Sequence, residues 1–293
     1  MNKQSGVRIF FYAAILFSSA IGFCEIWAQI THKRRSDLVK PAIGEQFDPS
    51  LSKLTSIPAF TAYCDSLYGY NQINPTDSEK YAAIVSQTLR QKFYHGYSYY
   101  SLGQNSLAYL FAPLIKKDLS AIVIPDDILK HPMAACSQQS IVGMEVFKRK
   151  GISVRKIGFF ADGYGGHFCF EAFFEGKWHF FDPDLEPSLP NMVANHFPSI
   201  LEIVQKDTLL HKLYFKQDSD LVEKLFLTYS YGSVNKFPAP RARIYQYATK
   251  YLSYFSWLLL IVLYLIVQKR LNHSKKKEVC AELQDSLVPE IRA

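Results

Sequence analysis

Two apolar runs near the ends of the chain decide most of what it can fold into. Ile9 to Ile30 is broken only by Glu25, follows Lys3 and Arg8, and is long enough to cross a bilayer. A cleaved signal peptide fits the same run. No A-x-A site accompanies it, however, and Cys24 follows Phe23 rather than a small residue, so an uncleaved anchor over 9–30 is expected. The second run, 251–267, carries no charge and sits at the short end of the spanning range. Tyr251, Tyr254 and Trp257 mark its front edge as an interfacial aromatic belt would. A buried core helix is the other reading of this run. The Lys269-Arg270 and Lys275-Lys276-Lys277 clusters that follow favour a transmembrane helix ending in a basic cytoplasmic tail, 268–293.

Two spans put the short 1–8 segment and the tail on the cytoplasmic side of an inner membrane, with everything between them on the external or periplasmic side. Lys33, Arg34 and Arg35 run against the positive-inside tendency, but such charges weigh less ahead of a long domain. The net charge of +7 comes largely from these flanks, so no nucleic-acid partner is expected. The chain holds no phosphate loop, dinucleotide fingerprint or internal repeat. His196 and His211 read as ordinary surface histidines and no spacing fits a metal site, so neither cofactor nor metal is expected.

Between the spans, 31–75 has scattered Pro, Ser and Asn and reads as a linker and domain edge. The T-D-S-E box at Thr76, followed by Tyr81, Ile84, Val85 and Leu89, predicts a helix from about 77 to 94 and opens a core over 76–190. The aromatic stretch Y-H-G-Y-S-Y-Y-S-L-G-Q-N-S after it suits either a substrate groove or surface packing. Past Pro190, a helical extension over 191–248 is expected, with one helix after Pro198 and another from near Asp220, packing between core and membrane or holding an envelope protein partner.

Within the core, Pro132 blocks helix before Cys136, and Ile141, Met144, Val146 and Phe147 follow with helical spacing until Gly151. Cys136 therefore opens a helix, where unpaired N–H groups and the positive dipole end favour a thiolate. For a lone cysteine, a buried inert thiol is the commoner outcome. Its partners change that balance. Two alternating runs joined at Glu175-Gly176-Lys177 form a hairpin that brings His167 and Asp182 together as cross-strand neighbours. A carboxylate there orients the imidazole, completing a nucleophile, a base and an orienter.

Cys136 at a helix start, G-I-S-V-R, G-H-x-x-x-E and W-x-x-x-D-P together resemble the transglutaminase-like superfamily, clearly over about 70 to 190. That resemblance implies an α+β, papain-like core in which the helix bearing the cysteine packs on an antiparallel sheet bearing His and Asp. It matches Cys136 to the nucleophile, His167 to the general base and acid, and Asp182 to the residue orienting it. Gly151 and Arg155 match the family's turn and strand, Glu171 and Trp178 its hairpin support, and Pro183 the residue after the aspartate. Cys169 stands where the family often has tryptophan, and Ser153 where it often has proline; both look like packing changes.

The implied chemistry is attack of Cys136 on a peptide or protein amide, giving a thioester that water or an amine resolves. Hydrolysis is favoured, since water needs no dedicated second site. Gln104 and Asn105 are candidates for a side-chain donor to the oxyanion hole beside the Cys136 N–H. A non-catalytic module that binds or scaffolds with the same fold is the alternative. Cys64, Cys136 and Cys169 would share the external domain, so at most one disulfide forms there, and a Cys64–Cys169 bond would leave Cys136 free.

Overall fold

The computed structural model describes residues 3–30, 41, 45–69, 78–116, 119–163 and 165–287. In chain order it contains α1 (Lys3–Ile30), a 3-10 turn at Pro49–Lys53, α2 (Ile57–Tyr68), α3 (Ser78–Lys92), α4 (Ser106–Ile115), α5 (Pro125–Ile128) and α6 (Cys136–Arg149). Strands β1 (Ser153–Ala161), β2 (Gly165–Phe174) and β3 (Lys177–Phe181) follow. Then come α7 (Leu189–Ala194), α8 (Ile200–Val204), α9 (Asp207–Leu213), α10 (Ser219–Phe226), β4 (Ser230–Tyr231) and α11 (Pro240–Leu287). These fall into two compact units, one of Arg34–Tyr99 with Lys116–Gln246, the other of Met1–Lys33, Tyr100–Ile115 and Tyr247–Ala293.

The larger unit is α+β, built on an antiparallel sheet in the order β3-β2-β1-β4. Its hairpin turns at Glu175 (φ 49°) and Gly176 (φ 78°), the paired positive φ values that a two-residue turn matched to strand twist requires. That turn sets Phe174 opposite Lys177 and Phe170 opposite Phe181. Alternation then gives the sheet two faces. Phe170 and Phe181 meet Phe147 of α6, with ring centroids 5.8 and 5.2 Å away. Phe159 and Phe180 point the other way, to Phe226 of α10, at 4.9 and 5.9 Å. All six rings are buried, each contributing about 1.5–3 kcal/mol by leaving water.

Three expectations need correction. The stretch expected to be linker and domain edge contains α2, started by Ser56, whose hydroxyl accepts from the Ala59 N–H, and by Pro58 in its first turn. Phe60 and Cys64 of α2 are fully buried in the core, so an apolar helical stripe was hidden among the Pro and Ser residues. The 191–248 helical extension is joined to the core: α10 packs on β1, α9 packs on α10 and α8, and β4 extends the sheet beside β1. Finally, α11 starts at Pro240 rather than near 251, because a proline opens it and neither Gly nor Pro interrupts 241–287. The expected helix over 77–94 is α3, Ser78–Lys92; Thr76 and Asp77 of its proposed capping box lie outside the described residues.

In the smaller unit α1 and α11 run antiparallel. Tyr12 meets Tyr264 through their hydroxyls at 3.1 Å, Ser18 hydrogen-bonds Ser256, and Gly22 faces the Ser253 carbonyl. Both helices are long and apolar enough to cross a membrane, over Ser5–Ala28 and Pro240–Lys277.

Candidate active site

Cys136 is the first residue of α6, after Ala135 in extended conformation. Gln138 holds this helix start in place. Its Oε1 accepts from the backbone N–H groups of Ala135 (3.2 Å) and Ser98 (2.9 Å), and its Nε2 donates to the Ser98 and Ile122 carbonyls. Two further backbone bonds tie the preceding loop to Tyr94, from Tyr94 N to Pro132 O and from Ala134 N to Tyr94 O, both 3.1 Å. The Cys136 side chain is therefore half-buried on a fixed backbone rather than on a free loop.

His167 is buried at 8 % exposure, and its Nε2 lies 2.9 Å from Asp182 Oδ2. Asp182 accepts from four donors: His167, the Tyr214 hydroxyl at 2.9 Å, and the backbone N–H groups of Asp184 (3.2 Å) and Leu185 (3.1 Å). Burial would raise the Asp182 pKa, but the imidazole and these donors outweigh it and hold it below the usual carboxylate range. For His167, burial disfavours the charged form, yet Asp182 and the hydrogen bond with Cys136 lift its pKa well above the ordinary imidazole value. Nε2 is turned to Asp182, and the Cys136 sulfur lies within 4.8 Å of a His167 ring nitrogen.

Two residues at this site were not assigned to it from the sequence. The Cys169 thiol lies 3.1 Å from His167 Nε2, beside the Asp182 contact, so it is part of the site and no mere packing change. Burial, reinforced by the Asp182 charge, pushes its pKa well up, which keeps it a neutral thiol. Asp184 is the second. One of its carboxylate oxygens, the Cys136 sulfur and a His167 nitrogen all lie within 4.8 Å of one another. Asp184 Oδ1 also accepts from His95 Nδ1 at 2.6 Å and from Gln139 Nε2 at 3.2 Å, and the hydrogen bond to Asp184 raises the His95 pKa. The hairpin register carries both residues. The ladder ends at Phe170–Phe181, and counting on in the same register places Cys169 level with Asp182 and His167 level with Asp184, just past the end of β3.

Cys136, His167 and Asp184, or His167, Cys169 and Asp182, bring ligand-type atoms within 4.8 Å. Both groups share His167, so a metal ion in either would displace hydrogen bonds that already satisfy these atoms. Gln104 and Asn105 belong to the other unit, where Gln104 Oε1 accepts from Ser101. Asn105 Oδ1 accepts from Ala108 N, and its Nδ2 donates to Thr249. These contacts cap α4 and offer no argument for an oxyanion role.

Glu171 and Trp178 meet at Arg155, away from the thiol. Arg155 bonds Glu171 Oε2 through Nη2 (2.6 Å) and Nε (2.7 Å), and its guanidinium lies 4.2 Å from the Trp178 ring and 3.9 Å from that of Tyr231. All five cysteines are free thiols. Cys64 is on α2 while Cys169 is on the sheet face opposite α6, and burial lifts the Cys64 thiol to about 12, so it is an inert core thiol. No protein-family model, curated protein or solved structure matches the chain.

Proposed function

We propose that the protein is a membrane-anchored thiol enzyme of the transglutaminase-like type, acting on amide bonds through Cys136, His167 and Asp182. The observation that carries this reading is the His167 imidazole held between Asp182, at 2.9 Å, and the Cys136 thiol at the start of α6. A helix-initial thiol, an imidazole whose second nitrogen is anchored, and a buried carboxylate are what nucleophilic acyl transfer requires.

The chemistry runs in two halves. His167 Nδ1 takes the Cys136 proton, and the thiolate adds to the substrate carbonyl. The developing oxyanion is met by the backbone N–H of Cys136, which has no partner inside its own helix. The imidazolium then protonates the departing amine as the C–N bond breaks, leaving a thioester. Water, deprotonated by the same imidazole, releases the acid; an amine in its place would make a cross-link. Hydrolysis is the favoured outcome, since water needs no dedicated second site and His95, bonded to Asp184 beside Cys136, is exposed to solvent. Asp182 keeps the imidazole in one tautomer, and Tyr214 keeps Asp182 in place.

The membrane part of the proposal sets α1 and α11 in a cytoplasmic membrane, with the thiol unit on the external side. The antiparallel pairing of the two helices supports placing both termini on one side. Protease added outside intact spheroplasts should cleave the thiol unit; its protection would overturn this orientation.

The activity is tested by exposing the full chain in detergent to p-nitrophenyl acetate and mapping acetylated peptides by mass spectrometry. Rapid acetylation of Cys136 that slows in His167→Ala supports acyl transfer. Acetylation at equal rates in both chains would refute it.

A further inference from the structure

Helix α4 presents an apolar face that no described part of its unit covers. Tyr109, Leu110, Phe111, Leu114 and Ile115 are all exposed, Leu114 at 80 % and Ile115 at 64 %, while Ala108 and Ala112 are buried on the other side. Leaving such side chains in water is unfavourable, and a patch of this kind marks an interaction surface.

The polar contacts of the first turn fix where the helix sits. Glu25 Oε1 accepts from the Ser106 N–H at 2.5 Å, Asn105 Nδ2 donates to Thr249 Oγ1 at 3.1 Å, and Ser253 Oγ accepts from the Leu107 N–H at 3.4 Å. Just upstream, a Cβ on Gly103 would stand 2.4 Å from that of Ala28, so only glycine lets this backbone come so close to α1. All these contacts fall at one level. Residues 25–28 end the Ser5–Ala28 apolar span, and 249–253 is where the charge-free run of α11 begins. The backbone donors that a helix start leaves unpaired are thereby satisfied within protein, as a nonaqueous setting demands.

At ten residues α4 is about 15 Å long, half of the ~30 Å bilayer core, and Lys116 follows it directly. We propose that α4 is an interfacial helix, lying in the leaflet where the α1 span ends, with its Tyr109–Ile115 face in the boundary between headgroups and acyl chains. Its occupant is lipid, because α4 is bonded to α1 and α11 at the ends of two spans whose own apolar side chains, among them Phe23 and Phe255, are likewise exposed. The inference rests on the membrane reading of those two helices and is independent of the thiol chemistry.

The test uses the full chain in phospholipid vesicles containing acyl-brominated lipid, which quenches only tryptophans that touch acyl chains. One chain keeps Trp257 alone, through Trp27→Phe and Trp178→Phe. The second carries Leu114→Trp, with all three native tryptophans changed to Phe. The proposal expects both to lose roughly half of their emission to brominated lipid, with aqueous iodide having little effect on the second. Quenching of Trp257 by lipid, with position 114 reached only by iodide, would put α4 in water and overturn the proposal. Position 114 quenched by neither would mean that protein, such as a second copy, covers the face, and would equally overturn it. No lipid quenching at either position would refute the membrane reading itself. Hydroxyl-radical footprinting of the unaltered chain in vesicles is the second measurement: the proposal requires Tyr109 and Phe111 to be protected as the spans are, and their labelling would contradict it.

Discussion

One face of the sheet buries two carboxylates, and its ends contrast a charge locked by a guanidinium with one paired to an imidazole. At one end Glu171 is locked by two guanidinium contacts and the Ile200 N–H, with Arg155 itself held between Trp178 and Tyr231. At the other, Asp182 is equally buried, but its partner is an imidazole that lies beside the half-buried Cys136 thiol. Their titration differs in sign. Burial raises the Glu171 pKa, with Arg155 and the Ile200 N–H opposing, whereas the Asp182 pKa is lowered despite its burial. Burial of a charge marks no function by itself; the proposed activity rests on the partner, an imidazole that can give up its proton, where a guanidinium cannot.

The largest effect expected from this contrast is on stability at the Glu171 end. Arg155→Met leaves Glu171 buried and unpaired, and should cost roughly 3–5 kcal/mol in urea unfolding while a folded fraction keeps its thiol reactivity. If the loss fell instead on thiol reactivity with stability intact, the two ends would not be separable. Asp182→Asn should do the reverse. It should slow acetylation of Cys136 by roughly 10²–10⁴-fold, the range for a group that orients a catalytic base.

The pH dependence of unfolding sharpens the distinction. A carboxyl with a lowered folded pKa, as at Asp182, adds stability above its unfolded value near ~4, lost as pH falls through the folded value. The raised pKa of Glu171 works oppositely, its contribution falling as pH rises from the unfolded toward the folded value. His167, raised by Asp182, adds stability below its unfolded value near ~6.5 that is lost as pH climbs through its folded one. Asp182→Asn should therefore flatten the acid-side rise in stability, and Glu171→Gln should steepen it; the same change in both would break the comparison. Smaller still is Tyr214→Phe, which removes one hydrogen bond to a charged acceptor and should cost about 1.5–3 kcal/mol by denaturant titration. The smallest is Cys169→Ser, expected within about 1 kcal/mol in stability, since a neutral thiol gives way to a similar neutral hydroxyl.

Much of this site was legible because it depends on local signals. A proline and an apolar stripe locate the start of α6, and a two-residue turn sets the register that aligns β2 with β3. The same register holds Cys169 and Asp184, and counting outward from Gly176 finds both. Tyr214 was not legible, because it reaches Asp182 from the end of α9, 32 residues away along the chain, and no periodicity encodes such a contact. His95 reaches Asp184 across 89 residues, through the loop pairing at Tyr94. Short helices such as α8 and α9, of 5 and 7 residues, carry too little pattern to separate them from a longer helix.

The most direct test of the account is the rate at which iodoacetamide labels Cys136, measured against pH in the full chain and in His167→Ala, with labelling read at the Cys136 peptide. Paired with a protonated His167, Cys136 should label quickly at pH ~6 and lose roughly 10²-fold in rate in His167→Ala, with Cys64 and Cys169 slow in both chains. Indistinguishable rates at Cys136 in two folded chains would contradict the account, leaving His167 and Asp182 a buried ion pair beside an ordinary thiol.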